Sequence, residues 1–297
     1  MKIYDCFMYF DEDLILEIRL NYLSNFIDKF IIIESSFNHR GEKRNPQFNI
    51  NKFERFKDKI EYILIEEQPQ NIEKINAVED NNSKSFKFIM NAVKQENFQR
   101  NMIMRGLKNC ADEDWIIVSD LDEIPNLNNI KFEKTKKKLI FFKQHMIYYK
   151  FNLILENFIW VGSKACKKKY LKSPQWLRNI KDRSYPWWRI DAFFSEKKYQ
   201  NVELIEEGGW HFTNIKKPEE IEKKMRSYLH HHEYDLNPLG IQKIKQLIKE
   251  RKALYNIKTD MRLSKFDDHP NLKLLDLNKL PNYIYDNQDK FTDWIEK

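Results

Sequence analysis

Two unbroken apolar runs, Phe30-Ile31-Ile32-Ile33 and Trp115-Ile116-Ile117-Val118, constrain this chain more than any other feature. A strand with one wet face alternates apolar and polar residues. A strand that does not alternate has both faces covered. Residues 13–26 place Leu16, Leu20, Leu23 and, just beyond them, Ile27 at helical spacing. Residues 85–109 read as a long helix, and residues 2–10 and 60–65 as further strands. This alternation of strand and helix predicts an α/β fold, with a mostly parallel sheet flanked by helices. In such sheets ligands lie outside the carboxyl ends of the strands. Residues that end strands are therefore the first candidates for chemistry.

The pattern changes after residue 138. Residues 139–150 and 151–161 read as longer, aromatic-rich strands. Ser173-Pro174 signals a short helix over 174–179. Residues 199–205 read as one more strand. From Pro218 the chain turns helical, through His232 and again over 239–254. Residues 37–46 and 71–83 are polar loops, and 255–297 is polar with isolated aromatics. These changes divide the chain near residues 125 and 215.

With 52 Lys and Arg against 45 Asp and Glu, the 297 residues carry a net charge of +7. That balance suits an anionic partner, such as nucleic acid, a membrane surface or an anionic substrate. The lysines are dispersed, clustering only at Lys136–Lys138 and Lys167–Lys169, which argues against nucleic acid and leaves peripheral membrane contact open. No run approaches the roughly 18 apolar residues of a membrane span. The apolar N-terminus is short, carries Asp5 and lacks a small-residue cleavage site. Cys6, Cys110 and Cys166 form no paired motif, so a reducing, cytoplasmic setting is expected.

The most informative segment is Trp115-Ile-Ile-Val-Ser-Asp120-Leu-Asp122-Glu123-Ile-Pro125, in which a buried strand runs into three carboxylates. Asp120 and Asp122 are two apart, so both can point to one side of an extended turn. Such neighbours repel unless a positive group sits between them. A divalent cation, Mn2+ or Mg2+, suits hard oxygen ligands and could in turn hold a diphosphate. The plainer alternative is a solvated acidic turn. In the long helix, Ile89, Val93, Glu96, Arg100, Ile103 and Leu107 share one stripe. Glu96 and Arg100, four apart, are then expected to pair on a buried face.

Several stretches taken in order resemble glycosyltransferase family 17, the group of β-1,4-mannosyl-glycoprotein N-acetylglucosaminyltransferases. They are Tyr4-Asp-Cys-Phe-Met-Tyr-Phe10 followed by Leu16-Glu-Ile-Arg-Leu20, then Phe30-Ile-Ile-Ile-Glu-Ser35, Gln99-Arg-Asn101, Val118-Ser-Asp-Leu-Asp-Glu-Ile-Pro125 and Gly208-Gly-Trp-His-Phe212. The resemblance spans roughly residues 3–233 and implies a GT-A-type, Rossmann-like fold. It further implies a UDP-sugar donor (UDP-GlcNAc first), a divalent metal and inverting transfer to a glycan or glycoconjugate hydroxyl. On this reading residues 1–215 form the catalytic domain, with the nucleotide-sugar part over about 1–125 and the acceptor part over about 126–215. Residues 216–297 form a helical region packed on it.

The residues and the resemblance together suggest roles. Asp120 and Asp122 would ligate the metal, with His211, after the permissive Gly208-Gly209 pair, as a late third ligand. Phe7, Tyr9, Glu34, Ser35, Arg100, Asn101, Asp120 and Arg178 are the expected contacts of the nucleotide-sugar, the arginines facing the diphosphate. Inversion needs a carboxylate base, for which Glu207, Asp191 and Asp182 are candidates, while Glu123 orients the aspartates or touches donor hydroxyls. Trp160 and Tyr185-Pro-Trp-Trp188 offer aromatic faces for sugars or for core packing. His230-His231-His232 looks like a metal tract, but adjacent residues on a helix diverge. Rival readings are a retaining transferase or nucleotidyltransferase on a similar sheet, and a non-catalytic glycan- or nucleic-acid-binding protein.

Overall fold

Both unbroken apolar runs form strands at the centre of the molecule. The computed structural model describes residues 1–76, 78–128, 130–226, 234–235, 238–256 and 268–297. In the N-terminal half, β1 (Ile3–Met8), α1 (Asp13–Leu23), β2 (Lys29–Ser35), β3 (Ile60–Ile65), α2 (Asn81–Asn101), α3 (Ile103–Gly106), β4 (Trp115–Asp120) and β5 (Glu123–Pro125) follow in order. Then come β6 (Leu139–Phe142), β7 (Gln144–Tyr148), β8 (Leu153–Trp160), β9 (Lys164–Lys167), α4 (Pro174–Asn179), α5 (Ile190–Phe193), β10 (Val202–Ile205) and β11 (Gly209–Thr213). The chain closes with α6 (Pro218–Met225), α7 (Gly240–Lys249), β12 (Lys273–Leu274) and α8 (Asn282–Asp286).

The α/β expectation is met, but the sheets are mixed rather than mostly parallel. The first sheet has the order β10-β6-β9-β4-β1-β2-β3. Its β4, β1, β2 and β3 are parallel, as are β10 and β6. Strand β9 runs antiparallel between β4 and β6. A second sheet, β12-β8-β7-β11-β5, is antiparallel except where β11 meets β7. The run 139–150 is not one strand: β6 lies in the first sheet and β7 in the second, and the chain changes sheets at Lys143. The crossing falls at the polar run Lys143-Gln144-His145, although both halves are largely buried. The long helix likewise stops at Asn101 and resumes as the single turn α3.

Each central strand feeds two cores. Phe7, Phe30, Ile32, Trp115 and Ile117 face α1 and the C-terminal segment of Leu275, Leu280, Ile284 and Phe291. Cys6, Ile31, Ile33, Ile116 and Val118 face Ile103, Leu107 and Leu177 on the other side. Truncating a fully buried leucine in either core to alanine costs about 2–5 kcal/mol. Helices α6 and α7 cover the second sheet through Ile221, Met225, Ile244 and Leu247. The polar tail is thus tied down by its few apolar residues. Among the described residues no helix is long and apolar enough to cross a membrane, and all three cysteines are free.

Candidate active site

Strand β4 delivers its acidic end to the edge where the parallel strands terminate. There an open cavity is lined by Met8, Tyr9 and Phe10 after β1, Phe37, Asn38 and His39 after β2, Glu96 and Gln99 of α2, and Asp120, Leu121 and Asp122. Glu12, Arg44 and Lys224 complete its wall. This is the crevice that the topology of an α/β sheet reserves for ligands.

Asp120 is clamped by two arginines. Its Oδ1 accepts from Arg100 Nη2 at 2.9 Å and its Oδ2 from Arg178 Nη2 at 2.9 Å. Burial opposes ionisation of Asp120, but Arg178 and Arg100 prevail and hold its carboxyl well below the usual range. Arg100 also donates to Glu96 at 2.7 Å and to Gln175. The expected Glu96–Arg100 pair therefore exists, as part of a larger network. Glu123 is fully buried and takes four donors. They are the Asp120 amide at 2.8 Å, Trp160 Nε1 at 2.6 Å, and Arg178 Nη1 and Nη2 at 2.6 and 2.9 Å. A Cβ on Gly162 would lie 2.1 Å from the Glu123 carboxyl carbon, so only glycine fits there.

The turn is also fixed from beneath. Arg19, fully buried in α1, donates from Nη1 to the carbonyls of Asp120 and Leu121 at 3.1 Å and of Glu123 at 2.7 Å. Its remaining donors form a bidentate pair with buried Asp5, at 2.6 and 2.7 Å. The sequence reading missed Arg19, although Leu16 and Leu20 place it on the buried side of α1. A charge at an apolar-stripe position is the same signal that singled out Arg100.

Helix α4 brings Arg178 to the site. Ser173 caps it by accepting from the Trp176 amide at 3.1 Å, with Pro174 in the first turn. Asn101 Oδ1 accepts from the Gln175 amide at 3.0 Å, another otherwise unpaired first-turn donor. At the other end Lys164 Nζ donates to the carbonyls of Arg178 at 2.7 Å and Ile180 at 2.5 Å. Burial, reinforced by Arg178, lowers the Lys164 ammonium to a pKa of about 8.

His211 lies on β11 opposite Glu123 of β5. Gly209, at φ +129, lets β11 approach so closely that a Cβ would sit 2.1 Å from the Ile124 carbonyl oxygen. The glycine pair thus serves a backbone contact within the protein. His211 Nε2 stands 3.6 Å from Asp122 Oδ1, and its ring packs 5.1 Å from that of Trp160. Burial opposes its protonation, but Asp122 prevails and raises its pKa. Its Nδ1 is buried without a hydrogen-bond partner. Lys224 Nζ is 3.9 Å from the other Asp122 oxygen.

As a metal site this arrangement supplies two well-placed donors. The 3.6 Å between Asp122 and His211 is too long for a hydrogen bond, and a small inward shift would bring both within reach of one ion. Both Asp120 oxygens are taken by guanidinium groups. Among the described residues no group of three or more His, Cys, Asp or Glu is placed to hold an ion alone. The residues fit a cation shared with a substrate's phosphates, as Mg2+ sites commonly are, rather than a closed protein cage. The tract His230–His232 lies outside the described residues.

The other expected contacts divide. Tyr9 lines the cavity and donates to Asp13 at 2.6 Å. Phe7, two residues earlier on the same face, lies deeper in the core beneath Arg19, and only Tyr9, just past the end of β1, reaches the cavity. Glu34 is buried and faces inward. It pairs with Arg44 at 3.0 Å and accepts from the Gln47 and Phe48 amides at 2.7 and 3.0 Å and Tyr62 Oη at 2.9 Å. Ser35 accepts from the Phe37 amide at 3.1 Å. Together they pin the loop after β2, and Arg44 stacks on Phe10 at 4.0 Å at the cavity wall. Glu207, Asp191 and Asp182 do not line this cavity. Glu207 is exposed at φ +47 and meets His145 at 2.7 Å. Asp191 is held by Arg189 and Lys198, both at 2.7 Å, and Asp182 is exposed.

The family model of glycosyltransferase family 17 matches residues 1–294. No curated protein matches the chain. With nearly the whole length matched, and a cavity at the strand ends, the chain belongs to glycosyltransferase family 17 and is a glycosyltransferase.

Proposed function

We propose that this enzyme transfers a sugar, N-acetylglucosamine foremost, from its UDP conjugate to a glycan hydroxyl with inversion, on a GT-A-type framework. The observation that carries the reading is the cavity at the ends of β1, β2 and β4 with Asp120 and Asp122 in its wall. Around it stand Arg100, Arg178 and Lys224 against four carboxylates, Glu96, Asp120, Asp122 and Glu123. That balance leaves an incoming diphosphate short of positive charge. A divalent cation, Mn2+ or Mg2+, held by Asp122 and His211, would supply it and stabilise the departing UDP.

The chain's own residues do the rest. Asp120 orients Arg100 and Arg178, which stand ready to shift charge toward the leaving diphosphate. Arg178 is fixed at both ends of α4, so little reorganisation accompanies that step. Tyr9, Phe10 and Arg44 form the wall against which the base and ribose would lie. The acceptor hydroxyl must lose a proton as the new bond forms. Glu12 and Glu96 are the cavity-lining carboxylates, besides the two aspartates, available to take it.

The test is calorimetric titration of UDP with and without Mn2+, on wild type and Asp122→Ala. Binding that requires Mn2+ and disappears in the variant supports the donor site. Absence of UDP binding by folded protein under every metal condition overturns it. Anomer analysis of the product then separates inversion from retention.

A further inference from the structure

Outside the active site, the segment between α4 and β10 presents four large apolar side chains to solvent. Trp187 is 79% exposed, Trp188 63%, Ile190 69% and Phe194 86%. Single exposed apolar residues are ordinary, but four within eight positions form a patch that calls for a partner. The patch has a cationic base. Arg183, Arg189 and Lys198 gather around the buried Tyr185 ring, at 5.1, 5.6 and 5.8 Å from its centroid. Over residues 172–198, leaving out Arg178, six basic side chains (Lys172, Lys181, Arg183, Arg189, Lys197, Lys198) face three acidic ones (Asp182, Asp191, Glu196). Lys138 borders the same surface beside Phe194.

We propose that residues 186–194 dock the enzyme on an anionic lipid bilayer, with Trp187, Trp188, Ile190 and Phe194 entering the interfacial region and the surrounding Lys and Arg meeting the headgroups. Tryptophan beside cationic groups and bulky apolar tips is the composition that partitions into this zone. The geometry disfavours the other occupants. The Trp187 and Trp188 rings are T-shaped, at 84°, so they offer no continuous stacking platform for successive bases or sugars. Ile190 and the strongly exposed Phe194 add apolar depth that a glycan or nucleic acid does not use. A symmetric contact between two copies would set one cationic rim against the other. The proposal stands on this surface alone and does not depend on the donor reading.

Flotation with phosphatidylcholine vesicles, with and without phosphatidylglycerol, tests it. Wild type should float with the anionic vesicles, less so in high salt, and only weakly with pure phosphatidylcholine. Brominated lipid should quench its tryptophan fluorescence. Trp187→Ser/Trp188→Ser/Phe194→Ser should lower partitioning about tenfold or more. Phe194→Ser alone, at a side chain with little packing to lose, should lower it in the same direction if the triple variant does not fold. Failure of wild type to float, or equal flotation of folded variants, overturns the proposal. So does a patch-dependent dimer in gel filtration, or patch-dependent binding to an oligonucleotide or oligosaccharide without vesicle binding.

Discussion

Arg19 Nη1 lies 2.7 Å from the carbonyl oxygen of Glu123, a residue 104 positions further along the chain. One buried guanidinium thus sets the backbone path of the acidic turn while Asp5 neutralises it. Arg19→Met leaves Asp5 buried and unpaired and should cost about 3–5 kcal/mol in urea unfolding. Removing both charges in Arg19→Met/Asp5→Leu should recover part of that loss. A single-variant cost below about 1 kcal/mol, the worth of an exposed ion pair, would mean that the turn is held by something else.

Arg178 bridges Asp120 and Glu123 with a planar fork. Arg178→Ala should lower turnover of the UDP-sugar by about 100- to 1,000-fold, in kcat more than in KM. Arg178→Lys should restore little, because a point charge cannot hold both carboxylates. Steady-state kinetics on variants with wild-type melting temperature decide the matter. Full activity in Arg178→Lys would reduce the arginine to a generic charge.

On the proposed reading His211 would hold the metal together with Asp122, 3.6 Å away. His211→Ala should raise the Mn2+ concentration for half-maximal UDP binding by at least the roughly 10- to 100-fold that losing even an outer-shell partner costs. Calorimetry at several Mn2+ concentrations reads this directly. An unchanged midpoint would remove His211 from the metal site.

Lys164 yields a pH signature. Its pKa falls from 10.5 to about 8 on folding, so the unfolded chain binds the proton more tightly. Stability from this group is complete above about 10.5 and is lost as pH falls through about 8. Wild type should therefore gain stability between those values relative to Lys164→Met. Parallel unfolding curves for the two proteins across that range would show that Lys164 keeps its ordinary pKa.

What the sequence made legible was whatever follows from burial on both faces. The runs at Phe30 and Trp115 read as strands covered on both faces, as they are, and the carboxylates at the end of the second, readable as a ligand edge or a solvated turn, stand beside the strand-end cavity. Less legible was what individual side chains meet. Phe7 and Tyr9 share a face of the chain, yet Phe7 lies under Arg19 while Tyr9, one residue past the end of β1, reaches the cavity. Glu34 looks like a strand-end ligand until the loop of Gln47 and Phe48 folds back over it. The crossing at Lys143 is marked only by the short polar run Lys143-Gln144-His145, which reading residues 139–150 as one strand passes over. The antiparallel β9 is short and polar at both ends, and nothing local distinguishes it from a parallel neighbour.

The clamp on Asp120 also bears on the order in which a nascent chain becomes whole. Its parts arrive from the N-terminus in sequence: Arg19, then Arg100, then the carboxylates, and only some 55 residues after Glu123 the arginine that satisfies them both. During synthesis the acidic turn emerges before Arg178 and Lys224, two of the cations that stand beside its carboxylates. Neither β9, which flanks β4, nor α4 has yet been made. The N-terminal strands can pair early, because domains generally begin to fold from the N-terminus as they emerge. Arg19 can set the backbone path of the turn early, but a product truncated before α4 would leave the Glu123 carboxylate short of two of its four donors.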